Sequence, residues 1–335
     1  MGKVSIKDIA QKAEVSSATV SLVLSGKGKK GRISDEKAKQ IRQIAKELNY
    51  RPNSLARSLQ SGRSQTIGLL VTDISNTFFG SLAFYIQEQI EQSGYTVIIM
   101  NTNENDLQMQ KMLEILSNRQ VDGYIIVPTE HGESSIRQLM EHKLPLVLID
   151  RYFPNLPTCS VTVDGYQASF MATQLLLQKG CKRIAFIMYS GKQSHMEERR
   201  NGYSDALMQA GLYNEELVRS VDFLNLKQNM LEVVTLLLDC KVDGILFATN
   251  TISLMGLRIL FDKGIRIPEQ IQLVCFDRNE VFEFMADPIP YVQQPIETMG
   301  RKAADLLLEQ ITSQDKILQT YKFPAKLITG SKLGD

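Results

Sequence analysis

The chain has 335 residues, 43% hydrophobic and 22% charged, with a formal net charge of +1 and a mean hydropathy of −0.13. That length suits more than one domain, and the composition excludes a disordered, fibrous or membrane-embedded chain. Four cysteines stand singly at 159, 181, 240 and 275, which excludes a disulfide framework and leaves buried reduced thiols as the simplest account.

The near-zero net charge hides two bodies of opposite sign. Residues 1–63 carry 14 Lys and Arg against 5 Asp and Glu, and the rest carry 24 against 32. A small basic body ahead of a larger acidic one is what a phosphate-contacting head looks like. Ser5 with Asp8 has the form of a capping box, which predicts a helix from Ile6 with Ile6, Ile9, Ala10 and Ala13 on one face. Ser16 caps a second helix, with Val15 and Val20 as its hydrophobic staple. The second helix buries Val20, Val23 and Leu24 and presents Ser17, Ala18, Ser21 and Leu22. That outer face is too small and smooth for a solvated helix, and it suits the major groove, which is read through the first turns of a helix.

Gly26 to Gly31 matches G-x-G-x-x-G, but it follows a helix where a dinucleotide site needs a buried strand. With Lys29 and Arg32 it reads as a basic wing that touches phosphates or faces solvent. Ser34 caps a third helix, which has Asp35 and Glu36 in its first turn and Ile41, Ile44, Ala45 and Leu48 on its apolar face.

Residues 4–63 resemble the helix-turn-helix head of the LacI/GalR family of bacterial repressors. The likeness is carried by Ile6-Lys7-Asp8-Ile9-Ala10, by Val15 to Ser21, by Leu48-Asn49-Tyr50-Arg51-Pro52-Asn53 and by Ala56-Arg57-Ser58-Leu59, and it continues through the rest of the chain. The resemblance implies a head at 1–51 and a hinge helix and linker at 52–63. It also implies a two-lobed core at 64–335 that dimerises and binds the effector. The DNA contacts it implies fall on Ser5, Ser16, Ser17, Ala18, Thr19, Ser21, Leu22, Lys29, Arg32, Asn53, Ala56, Arg57 and Leu59. Leu59 is the apolar wedge that unstacks a base step in the minor groove.

Beyond residue 63, apolar runs alternate with helical stretches such as Leu82 to Gln92 and Leu231 to Asp239. The runs are Thr66–Val71, Thr96–Met100, Gly123–Val127, Leu146–Ile149, Arg183–Met188, Gly244–Phe247 and Gln272–Phe276. Continuous apolar strands separated by helices predict parallel sheets covered on both faces. Val121-Asp-Gly-Tyr-Ile-Ile-Val127 returns as Val242-Asp-Gly-Ile-Leu-Phe-Ala248, which predicts two related lobes. The expected fold is therefore an all-α head on an α/β core of two doubly wound parallel sheets, similar to periplasmic binding proteins. The first lobe takes about 64–163 and 295–323, the second about 164–294 and 324–335.

Ligands of such sheets sit at the carboxyl ends of the strands, where this sequence places Asp73, Asn76, Phe78, Phe79, Asp150, Arg151, Asn250, Asp277 and Arg278. Arg199, at the expected start of a helix, joins them. The resemblance implies effector contacts at Asp73, Asn76, Arg199, Asn250, Asp277 and Gln294; the residues themselves add Phe78, Phe79 and Arg151. Carboxylates, amides and guanidiniums suit paired hydroxyls, and aromatic faces suit the CH side of a sugar. Three arginines around one site (151, 199 and 278) point to a sugar phosphate or uronic acid, and the basic wing and the Asp150-Arg151 pair look like the fructose-type branch of the family. A neutral sugar with Arg151 and Arg278 in salt bridges is the alternative.

No metal or other cofactor is expected, and His131, His142 and His195 pair with no plausible nucleophile. A cytoplasmic homodimer is expected, since no export signal opens the sequence and no heptad tail follows Ser331. A sugar-binding protein of a transport system is the runner-up, and a sugar-converting enzyme the third reading.

One departure bears on DNA. Many relatives place a guanine-reading Arg where this chain has Leu22 and a longer polar side chain where it has Ala18, so the strongest bidentate base contact is absent. Site selection from random DNA with residues 1–63 fused to a dimeric core should return an operator changed at the matching base pair. Recovery of the ordinary family site at full affinity would contradict this.

Overall fold

The computed structural model describes residues 4–24, 31–50, 62–313 and 318–329. They divide into two compact units, Met1–Ser64 and Gln65–Asp335. In the first unit, α1 (Ile6–Lys12) and α2 (Ser17–Leu24) pack on α3 (Asp35–Glu47). The Asp8 carboxylate accepts the Ser5 amide at 2.7 Å and the Ser5 hydroxyl at 2.8 Å. Ser16 Oγ accepts the Thr19 amide at 3.1 Å, and Ser34 Oγ accepts that of Lys37 at 3.3 Å. Each cap satisfies an amide that the helix start leaves open. Ile9, Ala13, Val20, Val23 and Ile41 form the buried centre, with Leu24 and Leu48 half-buried against it.

The second unit is built in chain order from β1 (Thr66–Val71), α4 (Thr77–Gln92), β2 (Thr96–Asn101), α5 (Asp106–Asn118), β3 (Gly123–Ile126), α6 (Glu133–Glu141), β4 (Leu146–Ile149) and β5 (Ser160–Val163). A second lobe follows: α7 (Gly165–Gln178), β6 (Ile184–Tyr189), α8 (Ser194–Gln209), β7 (Val218–Val221), α9 (Leu226–Asp239), β8 (Gly244–Phe247), α10 (Asn250–Asp262), β9 (Gln272–Phe276), α11 (Glu280–Phe284) and β10 (Tyr291–Gln293). The chain then returns as α12 (Ile296–Thr312) and β11 (Thr320–Phe323) to the first lobe, and as β12 (Lys326–Ile328) to the second.

One sheet runs β11-β5-β4-β3-β1-β2 and the other β12-β10-β9-β8-β6-β7. Every described pairing is parallel except that of β10 with β12. The two orders are the same pattern twice, and the repeated Val-Asp-Gly motif opens β3 and β8, which hold the same place in each. Its aspartates do the same work. Asp122 accepts the Gln65 amide at 2.8 Å ahead of β1, and Asp243 accepts the Lys182 and Arg183 amides at 2.9 and 2.8 Å ahead of β6.

Coverage on both faces explains the unbroken apolar runs. Ile67, Leu69 and Val71 of β1 pack into one cluster with residues of α4 and α12, while Leu70 joins Met109, Leu113 and Leu116 of α5 on the other side. The strands absent from the sequence reading are β5, β7, β10, β11 and β12. They are three or four residues long, and β5 and β11 interleave Ser, Thr or Lys with apolar residues, so none reads as an apolar run. The four cysteines are unpaired; burial pushes Cys159 and Cys181 up to about 11 and Cys275 up to about 12. Among the described residues no helix is long and apolar enough to cross a membrane.

The tightest helix crossing is that of α7 and α8. A Cβ on Gly202 would stand 2.1 Å from the Tyr166 carbonyl oxygen, a backbone atom with nowhere to move. Gly202→Ala should therefore cost about 1–3 kcal/mol and lower the melting temperature of the core by about 2–4 °C per kcal/mol. Scanning calorimetry checks it; an unchanged melting temperature would show that the crossing is loose.

Candidate functional site

On the basic head, α2 presents Ser17 and Ala18 exposed and Thr19, Ser21 and Leu22 half-buried. Ser16 is exposed, but its hydroxyl is shared with that of Thr19 at 2.9 Å. The Ser5 hydroxyl and amide are both engaged with Asp8. Arg32 is exposed on a left-handed backbone, φ +53°. Lys29, Asn53, Ala56, Arg57 and Leu59 lie outside the described residues.

In the core, strand ends of both lobes converge on a cavity of about 190 Å³. All nine expected effector residues line it: Asp73, Asn76, Phe78 and Phe79 after β1, Arg151 after β4, Arg199 on α8, Asn250 opening α10, Asp277 after β9 and Gln294 after β10. Their roles differ. Asp73 is largely spent on its own turn, accepting the Ser75 amide at 2.9 Å and hydroxyl at 2.6 Å. Asn76 caps α4 through Phe78 N–H at 3.0 Å and donates across the cleft to the Thr251 hydroxyl at 3.2 Å. Phe78 and Phe79 are both core residues and cavity wall.

Arg199 is the centre of the site. Its helix begins at Ser194, so the residue lies in the second turn and not at the start, as the sequence suggested. It is 2% exposed, its guanidinium carbon lies 4.1 Å from the Phe276 ring centroid, and Nη1 donates to the Ala248 carbonyl at 2.6 Å. Nε and Nη2 are buried with no hydrogen-bond partner among the described residues. Burial works against this charge, and Asp150 and Asp277 offset it. Asn250 donates to the Thr77 hydroxyl at 3.0 Å and Gln294 to Asp277 at 2.7 Å, which leaves Asn250 Oδ1 and Gln294 Oε1 as buried acceptors without partners among the described residues. A native protein rarely leaves so many buried polar atoms unmatched, and these converge on one space.

The carboxylates are crowded. Burial raises Asp150 against the pull of Arg151 and Arg199, and it pushes Asp277 up to about 6 against Arg199 and Gln294. His195, which the sequence paired with no plausible nucleophile and did not place in the effector set, is 8% exposed and lines the cavity from α8. Burial, then Arg151 and Arg199, holds it well below the usual imidazole range, so the ring is neutral. Glu104 was also missed: it stands in the turn after β2, and its side chain meets Arg151. The rule that located the other residues, polar groups at strand ends, covers both positions. Tyr189 and Phe223 complete the wall, ring centroids 5.6 Å apart.

The trio of arginines does not assemble. Arg278 lies outside this cavity, its side chain 57% exposed and paired with Glu283 at 2.8 Å. Arg151 does reach the cavity, but already paired. Among the described residues no cluster of His, Cys, Asp and Glu could hold a metal ion.

The chain's similarities follow the same division. Residues 64–329 match the family described as periplasmic binding proteins and sugar binding domain of the LacI family, and residues 5–53 match the bacterial regulatory proteins of the lacI family. The ribose operon repressor of Halalkalibacterium halodurans is 33% identical over 96% of this chain and 95% of its own. A transcriptional regulator CelR–cellobiose complex matches with a TM-score of 0.72 and 26% identity, covering 97% of this chain and 98% of that one. A lac repressor dimer bound to operator shares the fold at a TM-score of 0.85, 20% identity and 98% coverage of each chain.

Asp277 makes stability depend on pH in a definite direction. The folded protein holds this proton up to about pH 6, the unfolded chain only to about 3.9. The contribution is fully present below about pH 4 and is lost as pH rises through about 6, a total of about 2–3 kcal/mol. Asp277→Asn, compatible with the left-handed backbone there (φ +65°), removes it. Urea unfolding of both proteins between about pH 4 and 7 should show the wild type losing stability relative to the variant as pH rises. A constant difference would contradict the burial of an ionisable Asp277.

Proposed function

The chain belongs to the LacI family of bacterial regulatory proteins, and from that premise we propose that it is a DNA-binding transcriptional repressor governed by a sugar or sugar-derived effector held between its core lobes. One observation carries the effector reading. Arg199 offers two unmatched donors, and Asn250 and Gln294 offer unmatched acceptors, beside the rings of Phe78, Phe79 and Phe223. A hydroxyl both donates and accepts, so a polyhydroxylated ring satisfies donors and acceptors together while its CH face lies on an aromatic. The relatives named for ribose and cellobiose support the same class.

The basic head supplies the other half. Two copies, paired as in the lac repressor dimer on its operator, bring two heads to the half-sites of a near-palindromic site. Exposed Phe84 on α4 and Val281 and Phe284 on α11 are apolar surface suited to such pairing. The effector bridges Asp150 of the first lobe and Arg199 and Asp277 of the second. It thereby biases how the lobes are set, and through residues 52–63 how the heads meet DNA. The coupling required is about 1–3 kcal/mol. The site works by binding and carries out no turnover, and the protein acts in the cytoplasm, where its DNA is. A transport-system binding protein shares the two lobes but has no use for α1 to α3, and that reading is not favoured.

Operator gel shifts across a panel of sugars and sugar derivatives test the proposal. At least one ligand that binds the core should change operator affinity about fivefold or more. Arg199→Met should keep the ligand-free operator affinity and lose the response, since each charge-assisted hydrogen bond removed costs about 1.5–3 kcal/mol. Operator affinity unmoved by every ligand the core binds would refute the regulatory reading.

A further inference from the structure

The forked edge of the Arg151 guanidinium, the one that suits an anion in two-point contact, is already taken. Glu104 holds it bidentately, Oε1 at 2.5 Å from Nη2 and Oε2 at 2.8 Å from Nη1, and the Pro128 carbonyl lies 3.4 Å from Nη1. Nε makes no hydrogen bond among the described residues, and the nearest charge to it is Asp150 Oδ2 at 3.6 Å. The Arg151 and Glu104 side chains are only 10% and 14% exposed, so water screens the pair weakly.

The turn that delivers Glu104 is an unusual one. Asn103 and Glu104 both take left-handed backbone, φ +51° and +53°, a region a glutamate seldom occupies and one held only where the surroundings enforce it. What the turn gains is a carboxylate placed on Arg151 inside the cavity wall, where Glu104, Asp150 and Arg151 all line the space a ligand would fill.

The balance around that space is acidic. Asp73, Glu104, Asp150 and Asp277 line the cavity against Arg151 and Arg199. Among the described residues the buried guanidinium donors of the cavity without a hydrogen-bond partner are Nε and Nη2 of Arg199 and Nε of Arg151. Asp150 and Asp277 already offset the charge of the first, and Asp150 stands 3.6 Å from the Nε of the second. A phosphate or carboxylate would have to expel Glu104 or lie among uncompensated carboxylates, and like charges in a poorly solvated site repel strongly. A hydroxyl meets neither obstacle.

We propose that Glu104 acts as a built-in counter-anion that occupies the anion-binding fork of Arg151, so that the cleft selects a neutral polyhydroxylated effector and rejects its phosphorylated or carboxylated counterparts. The proposal rests on the reading of this cleft as the effector site, and it assigns Glu104 as the residue that sets charge specificity.

The test compares the full-length wild type with Glu104→Gln, which keeps the shape and removes the charge, and with Glu104→Ala. Inorganic phosphate is titrated first, at constant ionic strength, with calorimetry and melting temperature as readouts. The wild type should show no saturable response, and both variants should acquire one. Next come D-ribose, D-glucose, their phosphate esters and D-glucuronate. The wild type should bind neutral sugars in preference to the charged forms by about tenfold or more, and the substitutions should shift that ratio toward the charged forms by at least about tenfold. A wild type that prefers a phosphate ester or the uronate overturns the proposal, as does a phosphate response equal in all three proteins. The wild-type measurements stand even if neither variant folds. If no sugar of the panel binds, the sugar reading fails on that panel while the phosphate comparison still decides the role of Glu104.

Discussion

Arg199 carries a charge it cannot shed into a place that water barely reaches. A guanidinium stays protonated at any pH a protein survives, and this one is 2% exposed, so its surroundings must be built to hold it. The Ala248 carbonyl takes one N–H, the Phe276 ring lies across the cation, and Asp150 and Asp277 balance the charge. The rest of the cleft follows from that balance. Burial raises the proton affinity of Asp150 and of Asp277, with Glu104 adding to the first and Asp150 to the second, and burial followed by Arg151 and Arg199 keeps the neighbouring His195 neutral. Nε and Nη2 of Arg199 are buried with no hydrogen-bond partner among the described residues, a position that a ligand acceptor would satisfy.

The architecture brings that arginine to its partners. Asp150 follows a strand of one lobe, while Arg199 and Asp277 belong to the other, so the charge balance spans the two lobes. Hydrogen bonds flank it: Asn250 to Thr77 and Asn76 to Thr251 along α4 and α10, and the Lys192 amide to Glu130 at 2.7 Å beside the other mouth. The chain crosses between the lobes after β5, after β10 and after β11. A ligand that enters this space touches both lobes at once and changes the strength of their association, which is the physical requirement for a binding event to be felt elsewhere.

The head was the most legible part of the chain. Its helices are short, local and capped by side chains three residues away, so Ser5, Ser16 and Ser34 announce them without help from tertiary contacts. The central strands of the core were equally plain, because a strand covered on both faces must be apolar at every position. The sheet margins were not: β5, β7, β10, β11 and β12 are short, and a strand such as β11, half-exposed and alternating, owes its existence to a neighbour far away in sequence. Site residues were found by one rule, that ligands gather at the carboxyl ends of strands, and it served for Asp73, Asn76, Arg151, Asn250 and Asp277. It was not carried to the ends of β2 and β6, where Glu104 and His195 stand.

What the sequence determined by itself was composition and period: a basic capped helical head, an acidic core of repeated strand and helix, and a polar set at the strand ends. Those depend on neighbours a few residues apart. The use of each charge was decided only in the tertiary structure. Arg151, Arg199 and Arg278 look alike in sequence, yet one is held by Glu104, one lies buried with donors to spare, and one sits at the surface on Glu283. Electrostatic energy depends on distance and burial, and sequence states neither for residues that the fold brings together from 49 or more positions apart, as it does Arg199 with Ala248 and Asp277.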